Sequence, residues 1–215
     1  MAHTFDTSVR VAGSTANPVT TSLTPGATAT ILVVGISVPG NTTRAGGAPT
    51  FGGITMLQAG TTQASGGGIS QAELWYLSDP PTGAAATLSV PNAGALNLAV
   101  VASTYSAAPG LRSVLNVTAQ ASGNSTNPTV SLTTTAPGCA LVSVVSGSIG
   151  ALTAGRTLIF TGLVGTVRYG AEYNLQAAAG TLAMNWTATT GRWATVAASF
   201  MEVSRNSMRM MGVGT

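Results

Sequence analysis

Gln71-Ala72-Glu73-Leu74-Trp75-Tyr76-Leu77 is the stretch from which the fold is read. Side chains alternate along a strand, so Trp75 and Leu77 point to one side and Leu74 and Tyr76 to the other. A strand apolar on both faces belongs in the middle of a sheet. Working outward, Val/Thr/Leu/Ile runs recur over residues 29–38, 86–90, 96–105, 140–146 and 193–203, separated by Gly, Pro, Asn and Ser clusters. Helical periodicity is nearly absent, and this texture is that of an all-β chain.

The chain also carries an internal echo. In the first half, Thr24-Pro25-Gly26 precedes an apolar strand, followed by Ala72-Glu73-Leu74-Trp75-Tyr76-Leu77, Thr87-Leu88-Ser89-Val90 and a strand ending at Tyr105. In the second, Ala136-Pro137-Gly138 precedes an apolar strand, followed by Ala171-Glu172-Tyr173-Asn174-Leu175, Thr181-Leu182-Ala183-Met184 and a strand from Trp193. No long polar linker divides them, so the halves are expected to interleave in one domain, each supplying strands to both sheets, as the Greek keys of a jelly roll do. The expectation is an all-β jelly-roll β-sandwich of about a dozen strands. Residues 1–12 are expected as an N-terminal strand or arm, 13–203 as the sandwich and 204–215 as a tail.

Only 6% of the 215 residues are charged, against roughly 25% in an average soluble protein. A surface of Ser, Thr, Asn, Gln, Gly and Ala gives little repulsion between copies and favours association, so a dimer or trimer is expected. The basic residues are all Arg, scattered from Arg10 to Arg209. A nucleic-acid interface needs them clustered, so no nucleic-acid partner is expected. Mean hydropathy is positive, yet the longest apolar stretches fall well short of the roughly 18 residues of a spanning helix, and no membrane association is expected. Residues 1–10 lack the basic and apolar segments of a signal peptide, which predicts synthesis in a cytoplasm. Cys139, at the start of an apolar strand, reads as a buried, inert thiol.

Glu73-Leu74-Trp75-Tyr76-Leu77-Ser78-Asp79-Pro80-Pro81-Thr82-Gly83, followed by Thr87-Leu88-Ser89-Val90 and Val101-Ala102-Ser103-Thr104-Tyr105-Ser106, resembles a pattern found in jelly-roll proteins of tailed-phage virions and bacterial surface modules. Phe51-Gly52-Gly53-Ile54-Thr55-Met56, Asn185-Trp186-Thr187 and Arg192-Trp193-Ala194 fit the same pattern. The resemblance implies a concanavalin-like jelly roll serving as a capsid decoration (cement) protein, with the major capsid protein as partner and the virion as location, or as part of a tail or fibre. It brings no catalytic residue and no cofactor. After Tyr105-Ser106-Ala107 the chain departs from it with Ala108-Pro109.

The inventory of titratable groups is small: Asp6, Glu73, Asp79, Glu172, Glu202 and His3. One His near the N-terminus leaves no material for a Ser–His–Asp triad or a His/carboxylate metal site, and the chain is not expected to be an enzyme. Glu73 and Glu172 hold matching places in the two halves, and a retaining glycosidase needs such carboxylates about 5–5.5 Å apart; the competing expectation pairs each with an Arg such as Arg168 or Arg192, or leaves it exposed. Trp75, Tyr76, Trp186 and Trp193 are the candidates for a sugar-stacking platform of a lectin-like attachment module, the alternative to the capsid role. The Gly-rich loops are not phosphate cradles, because the chain has no Lys. Arg205, Met208, Arg209, Met210 and Met211 form a candidate docking arm, since Met adapts to irregular grooves and Arg pairs with carboxylates.

Overall fold

The computed structural model describes residues 3–39, 43–63 and 70–205. The first half of the chain contains β1 (Thr4–Ser14), β2 (Val19–Leu23), β3 (Ala29–Pro39), β4 (Thr50–Phe51), β5 (Ile54–Thr55), β6 (Leu57–Gln63), β7 (Ser70–Ser78), β8 (Ala86–Val90) and β9 (Leu98–Ser106). The second contains β10 (Leu111–Ser125), β11 (Thr129–Thr134), β12 (Cys139–Ser148), β13 (Leu152–Ala154), β14 (Thr157–Val164), β15 (Val167–Gln176), β16 (Gly180–Ala188) and β17 (Gly191–Ser204). No helix occurs among the described residues. The chain is all-β, built of several antiparallel sheets.

Each half makes two sheets of its own. In the first, a five-stranded inner sheet runs β1-β9-β3-β7-β6 beside an outer sheet β2-β8-β4-β5. In the second, the inner sheet runs β10-β17-β12-β15-β14 and the outer one β11-β16-β13. Matching β1 with β10, β3 with β12, β7 with β15 and β9 with β17 reproduces the same order, so the sequence echo is a repeated topology. The halves do not interleave, as the sequence had suggested: each sheet draws on one half alone. The reason is that each half supplies the strands for both its inner and its outer layer. Of the two readings of residues 1–12, strand or arm, it is the strand that Thr4–Ser14 takes, pairing along β9 at the edge of the first inner sheet.

The halves meet through their inner sheets, with β3 on β12, β7 on β12 and β17, and β6 on β10 and β17. Four layers result, holding three cores. Along β3, Leu32, Val34, Ile36 and Val38 face the first outer sheet with Phe51, Trp75 and Leu88. The alternate residues Ile31 and Val33 face the second half, with Leu74, Val142, Val144, Val196 and Phe200. Beyond lies a core of Val130, Leu132, Leu141 and Met184, and beside it Val145, Trp186 and Trp193. Each fully buried Leu or Phe here contributes about 1.5–3 kcal/mol. The central strands are apolar on both faces because each inner sheet is covered on both sides. Where the inner sheets approach, Gly35 leaves space for Val144: a Cβ there would lie 3.0 Å from Val144 Cγ2.

All four edges of the inner sheets are bulged. Register shifts fall in β1 between Phe5 and Thr7, in β6 between Gln58 and Gly60, in β10 between Leu115 and Val117, and in β14 between Leu158 and Phe160. An extra residue twists an edge strand and disrupts the ladder it would offer to another chain.

Candidate functional site

Glu73 shares its face of β7 with Trp75 and points toward the first outer sheet. It is buried, and so is its partner Arg44, from the segment between β3 and β4. Arg44 Nη2 donates to Glu73 Oε2 at 2.8 Å, and its Nε donates to both carboxylate oxygens, at 3.2 and 3.1 Å. Its Nη1 serves the carbonyls of Gly47 and Pro91, at 2.9 and 2.8 Å, while Trp75 Nε1 donates to Glu73 Oε2 at 2.8 Å. Every charge in this knot has hydrogen-bonded partners, the condition on which a buried ion pair is tolerated.

Glu172 occupies the matching place on β15 with a different outcome. Ser143 Oγ donates to its Oε1 at 3.1 Å and the backbone N–H of Arg156 to its Oε2 at 3.0 Å. The Arg156 guanidinium instead turns to the Ala183 carbonyl, at 3.0 and 2.8 Å. Burial without a direct counter-ion pushes the Glu172 carboxyl up to about 7, against the pull of its hydrogen bonds and the nearby Arg156 charge. Ser143 shares a face of β12 with Leu141 and Val145, so Glu172 looks toward the second outer sheet. Both inner sheets therefore separate Glu73 from Glu172. Packed sheets lie about 10 Å apart, outside the spacing of retaining carboxylate pairs, and the two glutamates do not form one site. Their arginine neighbours are Arg44 and Arg156, where the sequence had suggested Arg168 or Arg192. No sequence signal marks either, because both sit in connections whose closure depends on tertiary packing.

The four candidate sugar-stacking residues are not assembled into a platform. Trp75, Trp186 and Trp193 are 9%, 0% and 6% exposed. Trp75 lies in the first outer core, Trp186 and Trp193 share a core in the second half, and half-buried Tyr76 packs on Phe200 between the halves. Strand alternation sends neighbours Trp75 and Tyr76 into different layers.

His3, near the N-terminus, is buried against the second half, with Nδ1 2.7 Å from the Gly138 carbonyl and Nε2 2.8 Å from Ser113 Oγ. Ser113 Oγ in turn lies 2.6 Å from Thr30 Oγ1. Burial lowers the His3 pKa, opposed by the Gly138 hydrogen bond and the Glu202 charge. Cys139 is buried, as expected, and burial raises its thiol pKa.

Other charges are also committed within the fold. Asp6 accepts from the Gly26 N–H at 2.6 Å and from Thr104 Oγ1 at 2.8 Å, and Glu202 accepts from the Ala108 N–H at 2.8 Å. Arg10 of β1 lies 3.5 Å above the Phe160 ring of β14, joining the halves. The outer strands β2, β4, β5, β8, β11, β13 and β16 contain no charged residue at all. Apart from Ile54 in β5, their exposed positions carry hydroxyls, among them Thr20, Ser22 and Thr87 on one side, and Ser131, Thr133, Thr181 and Thr187 on the other. The Thr133 and Thr181 hydroxyls are 2.8 Å apart.

A cleft of about 560 Å³ opens where the chain passes from β9 to β10. Its walls include Thr4, Thr28, Ala107, Ala108, Pro109 and Arg205. Arg205 donates Nη2 to Asp79 Oδ1 at 2.9 Å and Nε to the Leu111 carbonyl at 3.2 Å. Of the candidate docking arm, only Arg205 is described; Met208, Arg209, Met210 and Met211 lie outside the described residues. Sequence reasoning missed the cleft, since its walls come from segments far apart in the chain. No group of three or more His, Cys, Asp or Glu side chains able to hold a metal occurs among the described residues, and they form no helix long and apolar enough to cross a membrane.

No protein-family model matches the chain, and no curated protein sequence matches it. A turret protein of Sulfolobus turreted icosahedral virus aligns over 94% of this chain and 100% of its own, at 13% identity and a TM-score of 0.20. That score is too low for the likeness to bear on fold or role.

Proposed function

We propose that this chain is a structural virion protein, a capsid decoration (cement) subunit of a tailed phage that stabilises the head through contacts with the major capsid protein and with its own copies. The observation that carries the reading is the distribution of charge: the outer strands have none, and the Arg44–Glu73 pair is held inside. Sheet faces tiled with Thr and Ser can be covered by a neighbour without desolvating an ion, and copies do not repel. The bulged edges oppose open-ended strand addition and leave faces as the means of finite, symmetric association.

The reading extends to the fold. In each half the order β1-β9-β3-β7 beside β2-β8-β4-β5, or β10-β17-β12-β15 beside β11-β16-β13, fits the paired sheets of a jelly roll, with β6 and β14 as added edge strands. On this reading two jelly rolls stack through their inner sheets. The mechanism is burial of surface, with no chemistry.

Particles lacking this protein are expected to lose heat and osmotic stability while adsorbing to cells normally. Unchanged stability would overturn the reading, and a selective loss of adsorption would favour an attachment module instead.

A further inference from the structure

We infer that the slot between β1 and β14, where the two halves face one another beside Arg10, binds a small monocarboxylate with an apolar body. This goes beyond the assembly reading and stands independently of it. The slot encloses about 330 Å³ and is lined by Ser8, Val9, Arg10, Val101, Ile159 and Phe160. That volume lies at the lower end of the roughly 300–1,000 Å³ of small-molecule sites. Pairing along β9 sets Ser8 opposite Ser103 and Arg10 opposite Val101. Residues two apart on a strand share a face, so the Ser8 hydroxyl and the Arg10 guanidinium both stand on the side that looks at β14.

The guanidinium is held in place but has no counter-ion. Its Cζ lies 3.5 Å from the centre of the Phe160 ring, so stacking fixes its plane while its N–H groups project from the edges. Among the described residues none gives Arg10 a carboxylate. Glu73 is held by Arg44 and Asp79 by Arg205. Asp6 accepts from Gly26 and Thr104, Glu172 from Ser143 and the Arg156 N–H, and Glu202 from the Ala108 N–H. These are all the acidic side chains in the sequence, so a second copy has no uncommitted one to offer either. A planar fork of donors matches a carboxylate through two parallel hydrogen bonds. One cation among the lining residues balances one negative charge, which favours a monocarboxylate over a phosphate dianion, and Val9, Val101, Ile159 and Phe160 cover an apolar body. A further donor lies at the same wall: the Tyr169 hydroxyl is buried without a hydrogen-bond partner. The Tyr169 and Phe160 rings are 5.6 Å apart, and the hydroxyl ends over Gly162, two residues along the same face of β14 from Phe160, where an added Cβ would lie 2.6 Å from it. Burial raises the Tyr169 pKa and the Arg10 charge opposes the rise, so hydroxyl and guanidinium are within electrostatic reach of one another.

The probe is benzoate, titrated into the isotope-labelled full chain and followed through amide chemical shifts. Saturable shifts are expected at Ser8, Arg10, Val101 and Phe160, with a Kd of ~1 mM for so small a ligand. Benzamide, with the same shape and no charge, and acetate, with the charge and no apolar body, should each bind at least about tenfold more weakly. Arg10→Gln should weaken benzoate by about tenfold or more, and Arg10→Lys, which keeps the charge without the fork, by less. For the case that Arg10→Gln loosens the contact between the halves, Ser8→Trp fills the slot from an exposed position with Arg10 retained, and should abolish the shifts. No saturable shift at these amides by ~20 mM benzoate overturns the inference. So does benzamide binding as tightly as benzoate, or shifts that survive both Arg10→Gln and Ser8→Trp. Inorganic phosphate that displaces benzoate at equal concentration overturns the choice of a monocarboxylate.

Discussion

Replacing Glu172 by Gln should stabilise the protein above neutral pH and leave it unchanged in acid. The carboxyl titrates ordinarily at 4.5 and in the fold at about 7. At ~1.4 kcal/mol per tenfold change in proton affinity, the ionised form costs the folded state about 3 kcal/mol relative to the unfolded chain. Because the folded value is the higher one, the native state binds more protons between 4.5 and 7. The stability supplied by the protonated group is complete below pH 4.5 and is lost as pH rises through 7. A glutamine copies the protonated acid: its carbonyl accepts from the Arg156 N–H, and its amide donates to Ser143 Oγ, whose hydroxyl reverses its role. Urea denaturation of both proteins from pH 4 to 9 gives the difference directly, and distant groups such as His3 cancel in it. The expected difference is near zero at pH 4, grows across the window between 4.5 and 7 with its midpoint at about pH 6, and levels off at about 3 kcal/mol by pH 8.5, or about 6 °C in Tm. A pH-independent difference, or a variant less stable than the parent at pH 8.5, would refute the account of Glu172 as a buried carboxyl without a counter-ion.

The matching site in the other half behaves oppositely: Arg44→Met strands a buried Glu73 charge and should cost about 3–5 kcal/mol, while Arg44→Met with Glu73→Leu recovers more than half of that loss in denaturant unfolding. A single-variant cost under about 1 kcal/mol would mean that water reaches the pair. His3→Gln should flatten the fall in stability between pH 7 and 5. The folded His3 value is depressed, so its contribution is present above the ordinary 6.5 and lost as pH falls through the folded value; equal acid slopes in both proteins would contradict this. Gly35→Val should destabilise by about 1–3 kcal/mol through overpacking against Val144, and Val144→Ala should relieve it; a double variant no better than the sum of the singles would show that the sheets meet elsewhere.

Local physics made much of the fold legible. The strands over residues 29–38 and 86–90 are where alternation and turn chemistry place them, because those signals reside in neighbouring residues. The two-residue strand β4 and three-residue β13 escaped notice, being too short to show a period. The function-bearing expectations were harder. Trp75 and Tyr76 suggested a platform because aromatic chemistry is visible in a sequence, but whether a ring is exposed depends on how many layers cover its sheet.

By itself the sequence determined an all-β chain, poor in charge, with two echoing halves and strands apolar on both faces. These properties follow from composition and from periodicity along the backbone. Only the tertiary structure decided that each half closes its own sheets, that the inner sheets of the two halves cover one another, and that Glu73 meets Arg44 whereas Glu172 meets no guanidinium directly. Those outcomes depend on which surfaces meet across long separations in the chain. One buried carboxylate gained a counter-ion and its echo did not because Arg44 turns its guanidinium onto Glu73, whereas Arg156 turns its own to the Ala183 carbonyl.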